Sequence, residues 1–425
     1  MSKLNTRSLK KKTVSSKQTL KKKVGGFFSL FSKKKNTTPV LNKMLLEEFN
    51  KKNLRSKYIK KLLDDGASVN TQNEQGQTLT HICVERNSLS TFNLIEKYYP
   101  KYDLVDNEGR TPFYLACSYG YLELVKLLWN KGADLNKSDN FGKTPFHIAC
   151  YNGHFQIVYF LSKLKQEKDI LSGDKDISMG NVKKAITKLD YQYGTYLINF
   201  NKKDLNGSTA AHSVAERGFD DIMLILSNIF DINGNPQVFL NIQNNLGETP
   251  CFTACKYGQS KIIKVFVHLN DINEQKRIEF NKENFVGETP CFIAAERGHK
   301  NVISELSLLN IDVNIPESKY GQTPCFGACK QGHLRVLEEL IKNGANIHLA
   351  TPIETGSFTP FFIAVYNNNL EIAKFLLVNG YMPKIRDFNN KNKILIENLL
   401  SWSQEQDNLQ EVFSQLTKIS DFYNS

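Results

Sequence analysis

The chain has 425 residues, a formal net charge of +12 and 40% apolar side chains, an ordinary make-up for a soluble globular protein. Residues 1–40 hold twelve basic side chains and no acid, so the rest carries 43 basic against 43 acidic residues and is electrically balanced. A nucleic-acid reading of the whole chain loses its support there, and with no apolar run of 18 residues no transmembrane helix is expected.

Taken in chain order, residues 1–40 read as a disordered basic tail. Within it Lys21, Lys22, Lys23 and Lys33, Lys34, Lys35 flank Phe27, Phe28 and Phe31. The pattern resembles the basic-aromatic segments of peripheral membrane proteins, where each lysine gains about 1 kcal/mol near anionic lipid and the rings enter the interface. Lys10–Lys12 with Lys21–Lys23 also resembles a bipartite nuclear signal. The apolar patch at 27–31 is too short for a secretory core and has no small-residue cleavage site after it. The expectation is a reducing, cytoplasmic compartment, with the tail addressing a membrane surface, the nucleus or neither, and with the eight cysteines as thiols.

Beyond the tail the sequence repeats. Thr-Pro pairs stand in near-identical settings at Thr111-Pro112, Thr144-Pro145, Thr249-Pro250, Thr289-Pro290, Thr323-Pro324 and Thr359-Pro360, with proline-free variants at Thr78 and Thr209. Successive spacings are 33, 33, 65, 40, 40, 34 and 36, a 33-residue period with insertions. In each unit Thr reads as an N-cap and Pro as the first helical residue. A short helix with small residues follows, closed by a glycine (Gly120, Gly153, Gly218, Gly258, Gly298, Gly332) in the position of a left-handed cap. A second helix with apolar residues at helical spacing comes next, as in Leu122, Leu124, Val125, Leu127 and Leu128.

This pattern resembles the ankyrin repeat, with its Thr-Pro-Leu-His-x-Ala and Gly-Ala-Asp signatures. The resemblance implies an all-α ankyrin-repeat solenoid of about ten units, made of helix pairs with projecting finger loops. Its divisions are an N-terminal capping repeat at 41–74, repeats at 75–164, an insertion or degenerate repeat at 165–203, repeats at 204–386 and a C-terminal cap at 387–425. Two departures stand out. Phe252, Phe292, Phe326 and Phe362 replace the family histidine, so the hydrogen bond it makes to the next repeat is expected to be lost there. Extra residues, at about 165–198, 231–239 and 271–279, enter three adjacent units just before the finger.

The residues that could carry chemistry fit the template. Six of eight histidines sit on repeat positions, and all eight cysteines occupy small or leucine-like helix positions, where a free thiol behaves as a small hydrophobe. No metal site, cofactor or small-molecule substrate is expected, and no hydrolase elbow, phosphate loop, kinase set or zinc-protease motif is present. Variation concentrates on two surfaces. The residues before the helix-ending glycines include Tyr119, Tyr151, Arg217, Tyr257 and Arg297, and the finger tips carry Phe141, Leu246, Phe285 and Tyr320. A line of Tyr, Phe and Arg has interface composition. The expected function is a non-catalytic scaffold or adaptor that binds a protein through these surfaces; the alternatives are a membrane-tethering adaptor or a nuclear-targeted regulator.

Overall fold

The computed structural model describes residues 37–51, 54–164, 197–231, 234–272, 278–309, 311–406 and 408–424. The described residues contain twenty α-helices and no strand, and the chain divides into two units at Asn107 and Glu108.

The first unit holds α1 (Thr38–Phe49), α2 (Ser56–Asp64), α3 (Leu79–Glu85) and α4 (Leu89–Ile95). α1 begins three residues ahead of the expected boundary at 41, because Thr37 stands at its N-cap and Pro39 in its first turn. Near the end of α1, Glu48 is fully buried. Arg55 donates to it from Nη2 at 2.6 Å and from its backbone N–H at 2.9 Å, and Lys51 Nζ lies 2.6 Å away. Burial raises the carboxyl pKa, but these donors outweigh it and hold the group at about 2. A folded-state pKa below the usual 4.5 gives stability that is present above pH 4.5 and lost as pH falls towards 2. Glu48→Gln is therefore expected to lower the stability of this unit at pH 7. It should also flatten the loss of stability between pH 4.5 and 2, measured by urea unfolding across that range.

The second unit is a two-layered stack. Helices α5 (Pro112–Tyr119), α7 (Pro145–Tyr151), α9 (Ala210–Arg217), α11 (Pro250–Lys256), α13 (Pro290–Glu296), α15 (Pro324–Gln331) and α17 (Pro360–Tyr366) form an inner layer, each packed on the next. Their partners α6 (Leu122–Asn130), α8 (Phe155–Ser162), α10 (Asp220–Ser227), α12 (Ser260–Ile272), α14 (Lys300–Ser307) and α16 (Leu334–Lys342) stack on one another as an outer layer. Then come α18 (Leu370–Val378), α19 (Lys393–Gln404) and α20 (Gln410–Asn424). The core lies between the layers, where Phe113, Phe146, Phe252, Phe266 and Phe361 are fully buried.

The long spacing between Thr144 and Thr209 does not interrupt this stack: α7 packs directly on α9, and α8 on α10. Where the chain leaves and returns it is tied, Leu197 N–H donating to Leu164 C=O at 3.3 Å. The asparagine six residues before each finger glycine explains why the insertions share one place. Asn136 Oδ1 accepts from Asn199 N, Asn201 Oδ1 from Phe239 N and Asn241 Oδ1 from Glu279 N, at 2.9–3.0 Å. Each clamps the chain at its point of return, so length can be added upstream without moving the next finger. At the third insertion, expected at about 271–279, α12 runs on to Ile272.

Candidate functional site

The inner helices begin as the sequence implies. Thr111, Thr249, Thr289, Thr323 and Thr359 each accept the N–H of the residue three further on, at 3.0–3.2 Å. Where that residue is histidine the ring adds a second bond: Thr144 Oγ1 lies 2.7 Å from His147 Nδ1 and Thr209 Oγ1 lies 3.0 Å from His212 Nδ1. His212 Nε2 then donates to Glu248 C=O of the next repeat at 2.9 Å, and burial pushes its pKa down to about 4, so the ring is neutral. At Phe252, Phe292 and Phe326 both ring bonds are gone and the side chain is simply buried. Tyr114, at the same position in its repeat, escaped the sequence reading. Its hydroxyl crosses to Asp139 Oδ2 at 2.8 Å and does the histidine's work.

The fingers are stiff turns. Asp139, Asp204, Asn244 and Asn284 each accept two backbone N–H groups from their own loop at 2.8–3.1 Å, as Asx turns do. Neighbouring fingers are then bonded tip to tip: Leu205 N–H to Phe141 C=O at 2.9 Å, Asn245 to Asn206 at 2.9 Å, Phe285 to Leu246 at 3.0 Å and Ser318 to Gly287 at 2.9 Å. Their side chains stay outside. Phe141 is 63% exposed, Leu246 58%, Phe285 71% and Tyr320 46%. Leu205, at 68%, belongs to the same row and was missed because the residue directly before its finger glycine, Gly207, is the polar Asn206.

The other candidates form a second row at the opposite ends of the inner helices. Tyr119, Arg217, Tyr257 and Arg297 are exposed, and Tyr151 is half-buried. Adjacent layers meet along this row. Arg217 lies over the Tyr151 ring at 5.2 Å, Asn152 Nδ2 donates to Ser118 C=O at 2.8 Å, and Lys330 pairs with Glu296 at 3.1 Å. The nine protein-binding candidates are thus brought together as two rows, not one patch.

His154 Nε2 bonds to Ser118 C=O at 2.8 Å and His299 Nε2 to Lys256 C=O at 3.1 Å, linking consecutive repeats. All eight cysteines are free and buried, and burial pushes the thiols of Cys83 and Cys291 up to about 12, far from a reactive thiolate. Among the described residues no group of three or more His, Cys, Asp and Glu side chains is arranged to hold a metal ion, and no helix is long and apolar enough to cross a membrane. The lipid-binding candidates Lys21–Lys23, Phe27, Phe28, Phe31 and Lys33–Lys35 lie outside the described residues.

A search of the curated proteins finds no match to the chain. The family model for ankyrin repeats, which spans three copies, matches residues 90–174, 182–277, 275–351 and 318–392. Those segments cover well over half of the sequence. Ankyrin repeats are in general protein-interaction modules without catalytic activity, and the inter-repeat bonds, stacked helix pairs and tip-bonded fingers described above are built from the same signature residues. The chain belongs to the ankyrin repeat family.

Proposed function

We propose that the protein is a non-catalytic scaffold or adaptor that binds a protein partner through its fingers and the exposed ends of its inner helices. The observation that carries this reading is the finger row. Phe141, Leu205, Leu246 and Phe285 are exposed on turns locked by Asx turns and tip-to-tip hydrogen bonds, and Tyr320 on a turn whose N–H groups Glu317 accepts. Rigid presentation lowers the entropy lost on binding, and aligned aromatic and aliphatic groups are what interface centres use. The basic-aromatic tail adds a second element, an attachment to anionic membrane surface that places the scaffold at the periphery of a membrane in a reducing, cytoplasmic compartment.

One experiment addresses both. Affinity purification from native cells is run with the full chain, with a form lacking residues 1–36, and with Phe141→Glu/Leu246→Glu/Phe285→Glu. A discrete partner retained without the tail and lost from the triple variant is the expected result. Partners unaffected by the triple variant would remove the fingers from the interface. If the tail-less form loses everything while the full chain recovers only membrane or nuclear-import proteins, the tail dominates and the scaffold reading fails.

A further inference from the structure

The second row contains a local charge arrangement that its neighbours lack. The Tyr151 ring, at the end of α7, has Lys143 Nζ 5.0 Å from its centroid on one hand and Arg217 Cζ 5.2 Å from it on the other. The two cations are therefore at most about 10 Å apart, about one Debye length at 0.1 M ionic strength. Among the described residues neither has a carboxylate at ion-pair distance. Glu216, beside Arg217 on α9, is half-buried and pairs with neither. At the position of Lys143, directly before the capping threonine, the following repeats carry Ser208, Glu248, Glu288 and Gln322, so none of them repeats this pair of cations on one ring. Cation–ring attraction holds the two side chains in place, but it leaves their charge unspent. On either side lie exposed aromatics, Tyr119 at the end of α5 and Tyr257 at the end of α11.

We propose that Lys143, Tyr151 and Arg217 form the receptor for an acidic side chain of an extended peptide segment, flanked by apolar contacts at Tyr119 and Tyr257. This rests on the protein-binding reading and names the chemistry of the partner. The spacing follows from the stack. Packed helices stand about 8–10 Å apart and an extended chain advances about 3.3 Å per residue, so a segment lying across the row meets a new layer roughly every three residues. Its acid engages the cation pair between α7 and α9. Its apolar residues, about four positions away on each side, meet the tyrosines. A carboxylate between two fixed cations forms charge-assisted hydrogen bonds, the strong kind, and a basic or neutral segment finds no match there.

The test is a selection from a phage-displayed library of random 12-residue peptides on the full chain, repeated with Lys143→Gln/Arg217→Gln and Lys143→Glu/Arg217→Glu. Both variants are checked for an unchanged melting profile. The expected result is a pool enriched in Asp and Glu with apolar residues nearby. A synthetic peptide from that pool should bind at least tenfold more weakly to the Gln variant, and the acidic bias should vanish from the selection on the Glu variant. An enriched pool without acidic bias overturns the inference and leaves the protein-binding reading standing. An acidic bias that survives both variants also overturns it, since it assigns the preference to the basic tail. No enrichment at all counts against both the inference and a linear-peptide form of the binding function.

Discussion

Phe252→Ala is expected to destabilise the second unit by about 3–5 kcal/mol, the range for deleting a buried aromatic side chain. Phe252 has no exposed surface and sits in the middle of the inner layer, on α11 between α9 and α13. Its repeats on both sides lean on it, because a stack of this kind is stabilised by its own units and by nearest-neighbour interfaces. The loss should therefore spread one repeat in each direction and then fade. Hydrogen exchange is the measurement: amides of α9 to α14 should lose protection together, while those of α17 and α18 change little. Even loss of protection along the whole unit would mean that the stack unfolds as a single cooperative block.

The replacement of histidine by phenylalanine shows how far the sequence could be read. That the ring bonds would vanish at Phe252, Phe292 and Phe326 follows from side-chain chemistry alone, and so it is found. Where the bulkier ring goes does not follow. Phe292 lies against Gly327 of the next inner helix, close enough that a Cβ there would meet Phe292 Cε2 at 3.3 Å. A mid-helix glycine costs about 1 kcal/mol relative to alanine, and in sequence it reads only as a weak point. Its reason is a neighbour 35 positions away. Tyr114 is the converse case, a change at the histidine position that keeps the inter-repeat bond because its hydroxyl reaches Asp139.

The same division holds for the candidate surfaces. Caps, helix-ending glycines and finger positions are local signals, legible because each needs only a few residues in one turn. The exposed finger row was legible where an apolar residue directly precedes the finger glycine and missed at Leu205, where Asn206 takes that place. The pairing of Tyr151 with Lys143 and Arg217 depends on α7 stacking directly on α9. Since 65 residues separate the two threonines, nothing in the spacing showed which repeat would be the neighbour. On the outer helix α8, Phe155 and Tyr159 are exposed and stacked on each other, a feature the template gave no reason to expect.

Gly247→Ala is expected to destabilise the fingers by about 2–3 kcal/mol, and its comparison with Gly132→Ala separates two causes. Both glycines have φ +79, a conformation that costs a residue with a side chain about 1–2 kcal/mol. At Gly132 that is the whole penalty, for an added Cβ meets nothing within 4 Å. At Gly247 the Cβ would lie 2.5 Å from the backbone nitrogen of Phe285, the donor of the 3.0 Å bond to Leu246 C=O. Backbone has nowhere to yield, so the finger-to-finger bond must lengthen or break, at about 1 kcal/mol for a net hydrogen bond. Urea unfolding of the two variants should therefore show the larger loss at Gly247. Exchange at the Phe285 amide should accelerate in Gly247→Ala and stay unchanged in Gly132→Ala. Equal losses with equal protection at Phe285 would mean that the tip-to-tip bond contributes nothing to holding the finger row, and with it the rigid presentation of Leu246 and Phe285 on which the binding surface depends.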